Sequence, residues 1–284
     1  MKIGLIPVNV GFSRPEEILA IAKHAERAGV ESLFTFEHVV VPVDYTSRYP
    51  YHPSGKMGAE AEMPFVDPLI TLSFIAAHTE TIRMGTGVNI LAQSNPVLLA
   101  KQIASLDFMS GGRFIFGAGI GWLKEEFRAM GVPFERRGAR FEDALVAMKK
   151  IWSGDVVEHQ SDFLDLTGFK AYPLPAQRPH PPILIGGTSD AAFRRVARHG
   201  DGWIAPNREL DSLSEMLPRL RKIAIEEGRD PSTISVTAMW PYAKEKGELE
   251  KYRALGVERL ITPLTALGGD PMAAIDELMS EVRG

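Results

Sequence analysis

A closed parallel (β/α)8 barrel of the TIM type, with insertions, is the α/β fold this sequence predicts. Short apolar strands alternate with amphipathic helices from end to end, and eight of each can be placed. The turn after the first strand, PVNVGFSRP, lacks the G-x-G-x-x-G that an open dinucleotide-binding sheet puts there. The length of 284 residues suits one barrel, since such domains run to about 250 residues. Residues 1–284 therefore read as a single domain with insertions at about 39–66 and 155–182.

The first strand is read from Lys2 to Val8. Ser13 is expected to cap the next helix, with Glu16 completing a capping box, and Ile18, Ile21, Ala25 and Ala28 form its apolar face up to Gly29. Ser32 to Phe36 is the second strand and runs into Glu37 and His38. The Pro- and Tyr-containing stretch 39–66 is too long for an ordinary connection and reads as a substrate lid. Asp67-Pro68, Asn95-Pro96 and Asp270-Pro271 each combine a capping side chain with a proline in the first turn, which marks three helix starts. Strands follow at Met84–Leu91 and Arg113–Ile120, and helices at 123–130 and 138–153. The rhythm breaks over 155–182, where Val156-Val157 and Phe163-Leu164 suggest a hairpin and YPLPAQRPHPP a connector. Strands at Ile183–Ile185, Trp203–Ala205, Ile234–Met239 and Arg259–Thr262 complete the set.

Composition excludes several classes of function. Thirty-two basic against 36 acidic residues give a net charge of -4 with no basic stripe, so no nucleic-acid partner is expected. The absence of cysteine removes disulfides, thiolate nucleophiles and thiolate metal ligands, and no histidine pair has H-x-x-x-H spacing, so no metal is expected. No apolar run reaches 18 residues and MKIGLIPV is too short for a signal segment. The expectation is a cytoplasmic protein without membrane contact.

A barrel of this type carries its chemistry at the carboxyl ends of its strands. That rule selects Asn9, Glu37 with His38, Gly87-Val88-Asn89, Gly119 to Trp122 (with Gly121), Gly186-Gly187-Thr188-Ser189 and Trp240. His38 is the candidate proton donor or acceptor, beside Glu37. Glycine within a strand, as at Gly87, marks either a bulge near a ligand or crowding inside the barrel. Gly186 to Ser189 precede a helix, so their N–H groups and hydroxyls suit a phosphate, or else Ser189 simply caps that helix. Gly117 to Gly121 lack the Lys-Ser/Thr of a nucleotide-triphosphate loop.

Three blocks resemble the bacterial luciferase-like monooxygenase superfamily: ESLFTFEHVVVP, TGVNILAQSNPVLLAKQIASLDFMSGGRFIFGAGIGWLKEEFRAMGV and ILIGGTSDAAFRRVARHGDGW. Within it the chain looks most like the branch that uses the deazaflavin coenzyme F-420. The resemblance implies a luciferase-like barrel with a ring cofactor in its mouth and a non-proline cis peptide at Gly87-Val88 beneath the ring. It implies ring contacts from Glu37 and His38, a ring site around Gly87, Val88, Asn89, Gly119, Gly121 and Trp122, and a cofactor phosphate at Gly186, Gly187, Thr188 and Ser189. It also implies an enzyme, a small-molecule substrate and a homodimer. Ile120 stands where luciferase has a phosphate-binding arginine, which argues against luciferase-style FMN binding. Trp122 stands where deazaflavin sugar-phosphate dehydrogenases have a catalytic glutamate. The expected function is hydride transfer between F-420 and a small organic substrate. The rivals are an FMN-dependent monooxygenase of the alkanesulfonate type, served by a partner flavin reductase, and a non-catalytic flavin-binding protein.

Overall fold

The computed structural model describes all residues except 207–208, 243–244, 246 and 284. Its parallel strands pair side by side until the last meets the first, which leaves the barrel sheet without a free edge among the described residues. In chain order the strands are β1 (Lys2–Ile6), β2 (Ser32–Thr35), β3 (Arg83–Thr86), β4 (Asn89–Ile90), β5 (Phe114–Gly119), β6 (Val157–Gln160), β7 (Asp165–Phe169), β8 (Ile183–Gly186), β9 (Gly202–Ala205), β10 (Ser235–Met239) and β11 (Arg259–Pro263). The barrel runs β1-β2-β3-β5-β8-β9-β10-β11 and closes through Lys2 opposite Arg259. β4 resumes the interrupted third strand, while β6 and β7 form the antiparallel hairpin expected in the second insertion.

The helices lie outside the barrel, most of them on an amphipathic face: α1 (Pro15–Ala28), α2 (Pro68–Ala76), α3 (Pro96–Met109), α4 (Lys124–Ala129), α5 (Arg137–Ser153), α6 (Asp190–His199), α7 (Leu210–Glu226), α8 (Glu248–Leu255), α9 (Leu264–Leu267) and α10 (Pro271–Arg283). The cap-plus-proline starts form as the sequence indicates. Asp67 accepts from Ile70 N, Asn95 from Val97 N and Leu98 N, and Asp270 from Ala273 N. The start of α1 differs by one residue. Arg14 occupies the cap and Pro15 the first turn, so the carboxylate placed to reach back is Glu17, not Glu16, and it accepts from Ser13 N at 3.2 Å. Proline's fixed φ set that register.

Two apolar layers result. Ile6, Phe34, Ile115, Leu184, Ile204, Met239 and Ile261 fill the barrel interior, and a larger set packs between strands and helices. The amino-terminal face is tied by charge. Arg259, 4% exposed, meets Glu31 through two contacts of 2.8 Å, and Arg113 donates to the carbonyls of Ala76, Thr79, Ile82 and Ser110.

The third barrel strand is not continuous from Met84 to Leu91. It breaks after Thr86, and the Gly87–Val88 peptide is cis, as the family resemblance implied. Pairing with β5 resumes only at Asn89 opposite Ala118. The Thr86 hydroxyl bridges the break, donating to Gly117 O at 2.6 Å and accepting from Gly117 N at 3.0 Å. The backbone N–H and carbonyl of the buried Gly117 thereby both have a partner. A Cβ on Gly117 would lie 1.8 Å from Thr86 O, a backbone atom that cannot move aside cheaply. Gly117→Ala should therefore cost about 3 kcal/mol or more, while Gly58→Ala, which meets nothing within 4 Å, should be near neutral. Urea unfolding of both variants checks this.

Candidate active site at the barrel mouth

Glu37 and His38 leave the end of β2 at the carboxyl face, where the sequence placed them. Glu37 keeps a small exposed surface, but its carboxyl is enclosed, and its Oε2 accepts from Ile90 N. Burial pushes this carboxyl up to about 8; the nearby carboxylates of Glu126 and Asp67 add to the effect, and the Ile90 N–H opposes it. Glu37 therefore holds a proton at neutral pH, unlike an ordinary glutamate.

His38 is held on its other side. Its Nδ1 lies 3.0 Å from Glu126 Oε2, on α4, and its ring meets Phe65 and Trp122 edge-on with centroids 5.5 and 6.0 Å apart. Trp122 also takes the edges of Tyr45 and Tyr49, at 5.7 and 5.2 Å. The stretch 39–66 thus lays two tyrosines and a phenylalanine over the Glu37 side of the mouth. It contains no helix or strand beyond an isolated bridge between Phe65 and Val10.

Two adjacent carboxylates of α4 hold the first part of this stretch. Glu126 Oε1 accepts from Val39 N at 2.6 Å. Glu125 accepts from Thr46 N, Thr46 Oγ1, Ser47 N and Ser47 Oγ. Partial burial would raise Glu125, yet the Ser47 and Thr46 hydrogen bonds outweigh it and hold the carboxyl at about 2. Asn9 fastens both ends: its Nδ2 donates to Phe36 O and Val66 O, and its Oδ1 accepts from Phe36 N. Its amide is consumed by the lid anchors. Trp240, the other outlying candidate, is 1% exposed and buried in the outer core.

Val88 supplies a floor. Its methyl groups lie 2.5 Å from where a Cβ of Gly119 would stand and 3.3 Å from that of Gly186, so it spans the ends of β5 and β8 over the interior layer, against which Phe36 also packs. Packing itself accounts for several of the glycines. The missing Cβ of Gly87 would strike Ile6, that of Gly121 would strike Ile90 and Phe127, and that of Gly85 would lie in the Phe34 ring. Crowding is thus a sufficient reason for glycine at 87, 119 and 121, and their nearness to the mouth comes from strand position. Asn89 is 3% exposed and its Oδ1 has no partner among the described residues.

Across the mouth, Gly187 has φ 112° and its carbonyl accepts from Trp203 Nε1 at 2.8 Å. Ser189 is the cap of α6, accepting from Ala192 N, with Thr188 beside it. Arg137 donates to Gly121 O, while Arg136 meets Asp162, Arg195 meets Glu142 and Arg194 meets Glu227. Cavities of about 440 and 660 Å³ flank α5 and α4, and neither is lined by Glu37 or His38. No group of three or more His, Asp or Glu among the described residues could hold a metal.

The sequence model of the luciferase-like monooxygenases matches residues 6–263. The chain belongs to the luciferase-like monooxygenase family. An uncharacterized Mycobacterium tuberculosis member is 33% identical over 222 residues, 78% of this chain and 76% of the relative. A second from that organism is 30% identical over 264 residues, 92% of each. An F420-dependent secondary alcohol dehydrogenase superposes with a TM-score of 0.78 at 16% identity, covering 98% of this chain and 97% of that one. For that luciferase-like barrel, Glu126 is the site residue the sequence had not singled out. Its signal was present in the EEF of the quoted block, but one helical turn on a short helix gives no hint that a carboxylate points back at His38 across 88 positions.

Two outcomes are expected. Glu37 carries its proton more tightly when folded, so its stabilising contribution is present below about pH 4.5 and lost as pH rises through about 8. Glu37→Gln should raise Tm relative to the parent at pH 8.5 and lose that advantage by pH 4.5, as thermal melts across this range will read. Glu125→Ala should speed protease cleavage within 39–66 several-fold at little change in Tm, because it frees lid anchors and not core contacts.

Proposed function

We propose that this luciferase-like protein is an oxidoreductase that moves a hydride between coenzyme F-420 and a small organic substrate. The observation that supports this best is the Glu37–His38 pair: a carboxyl that holds its proton to about 8, next to an imidazole, at the rim of an apolar floor. Hydride transfer to or from a carbon–oxygen bond needs a proton exchanged at the oxygen, and groups titrating near neutrality serve that best. The relatives named for their cofactors divide. An F420-dependent hydroxymycolic acid dehydrogenase of M. tuberculosis is 27% identical over 79% of this chain and 58% of its own length. An FMNH(2)-dependent dimethylsulfone monooxygenase of Pseudomonas putida is 30% identical over 73% of this chain and 53% of its own. Ile120, in place of a phosphate-binding arginine, favours the first.

The residues present fit a ring cofactor. Val88 and Phe36 offer an apolar, part-exposed surface for a planar ring, and Gly187, Thr188 and Ser189 at the start of α6 suit its phosphate. When bound, the deazaflavin supplies or accepts the hydride at a ring carbon. His38 exchanges the proton through its ring. Glu37, fixed by Ile90 N, keeps a neutral carboxyl that can donate a hydrogen bond. Trp122, Tyr45 and Tyr49 exclude water on the lid side, which strengthens both contacts.

Fluorescence titration with F-420 and with FMN tests the reading; tight FMN binding without F-420 binding would overturn it. His38→Ala should lower turnover by roughly 10²–10⁴-fold while F-420 still binds, and unchanged turnover would remove His38 from the mechanism.

A further inference from the structure

We propose that Glu126 is a positioning residue that fixes the tautomer of His38, so that Nε2 is the atom exchanging the proton, and that ties the start of the lid to that choice. The inference rests on the role given to His38 above.

Glu126 is 2% exposed, and its two oxygens face different partners. Oε1 accepts from Val39 N at 2.6 Å, with Val40 N at 3.5 Å, while Oε2 lies 3.0 Å from His38 Nδ1. A backbone N–H only donates, and an ionised carboxylate only accepts. With Glu126 acting as the carboxylate, the hydrogen in the second contact belongs to Nδ1. In the neutral ring Nε2 is left with its lone pair, and it has no hydrogen-bond partner among the described residues. Phe65 and Trp122 box the ring edge-on, so it cannot turn over without displacing them. When Nε2 takes a substrate proton, the imidazolium forms against a buried carboxylate and gains a charge-assisted hydrogen bond. The reverse reaction returns the proton from the same atom. Because Val39 is the first residue of the lid, the carboxylate that orients the imidazole also anchors the segment that covers it.

Glu126→Gln separates this role from plain packing. The backbone N–H of Val39 still needs an acceptor, so the amide oxygen stays at the Oε1 position. The amide NH2 then faces Nδ1, which must become the acceptor, and the ring hydrogen moves to Nε2. Both contacts survive, the shape is kept, and only the proton's place on the ring is reversed.

The protein has seven histidines, so nitrogen NMR of the histidine-labelled protein without cofactor, assigned with His38→Asn, reads the tautomer directly. The parent should show His38 as Nδ1–H and Glu126→Gln should show Nε2–H. Glu126→Gln should bind F-420 within about twofold of the parent, and on any substrate the parent turns over should lose on the order of 10²–10⁴-fold in kcat with little change in KM. An Nε2–H parent, or an unchanged tautomer in the variant, overturns the proposal. A reversed tautomer with unchanged kcat overturns the link to the reaction. If the tautomers behave as stated but F-420 does not bind, the positioning role stands and the cofactor reading fails. Should Glu126→Gln not fold, the tautomer of the parent decides.

Discussion

Between β3 and β5 a side-chain hydroxyl carries the barrel across a gap in its backbone pairing. Parallel strands normally share backbone hydrogen bonds along their whole length, but the pairing lapses between Gly85 and Asn89. Thr86 Oγ1 takes both the N–H and the carbonyl of Gly117 and keeps the two strands joined through the gap. Much of the mouth depends on that join. It lets Gly87 and Val88 leave the ladder, and Val88 then lies across the ends of β5 and β8 as the part-exposed top of the interior. It also brings the Ile90 N–H to the carboxyl oxygen of Glu37.

A second dependence runs through α4. That helix has six residues and would not stand alone. It is fixed by what it holds: Glu125 gathers Thr46 and Ser47, and Glu126 gathers Val39 and His38. Two neighbouring side chains point to two places because successive helical residues are about 100° apart. The lid and the imidazole are positioned from one turn of helix, so the covering of the site and the orientation of its proton-exchanging group are mechanically joined.

Glu37 and His38 sit side by side and meet different environments. Glu37 is desolvated beside other carboxylates and keeps its proton. His38 faces a carboxylate on one ring nitrogen and aromatic edges around the rest. A carboxyl that keeps its proton beside an imidazole suits acid–base work.

Much of this was legible in the sequence. Strand order, the three Asp/Asn-Pro helix starts, the hairpin insertion and the placing of Glu37 and His38 at a strand end all follow from local pattern, because proline, capping side chains and apolar period act over a few residues; the cis peptide at Gly87-Val88 came from the family resemblance, and local pattern had read that strand as continuous. The shift of the first capping box from Glu16 to Glu17 did not follow, since a proline one position away overrode it. Nor did the reasons for the glycines: Gly117, Gly119 and Gly121 are required by Thr86, Val88, Ile90 and Phe127, which only strand pairing brings near. Asn9 looked like a site residue by position, yet its amide is spent on the lid anchors. Glu126 was invisible for the same reason in reverse. By itself the sequence determined the barrel and most of the residues at its mouth, though not that Trp240 turns into the outer core. The tertiary structure decided which of them touch, and so which carry protons, because hydrogen-bond partners separated by 31 to 88 positions are set by strand register and helix docking and not by any local pattern.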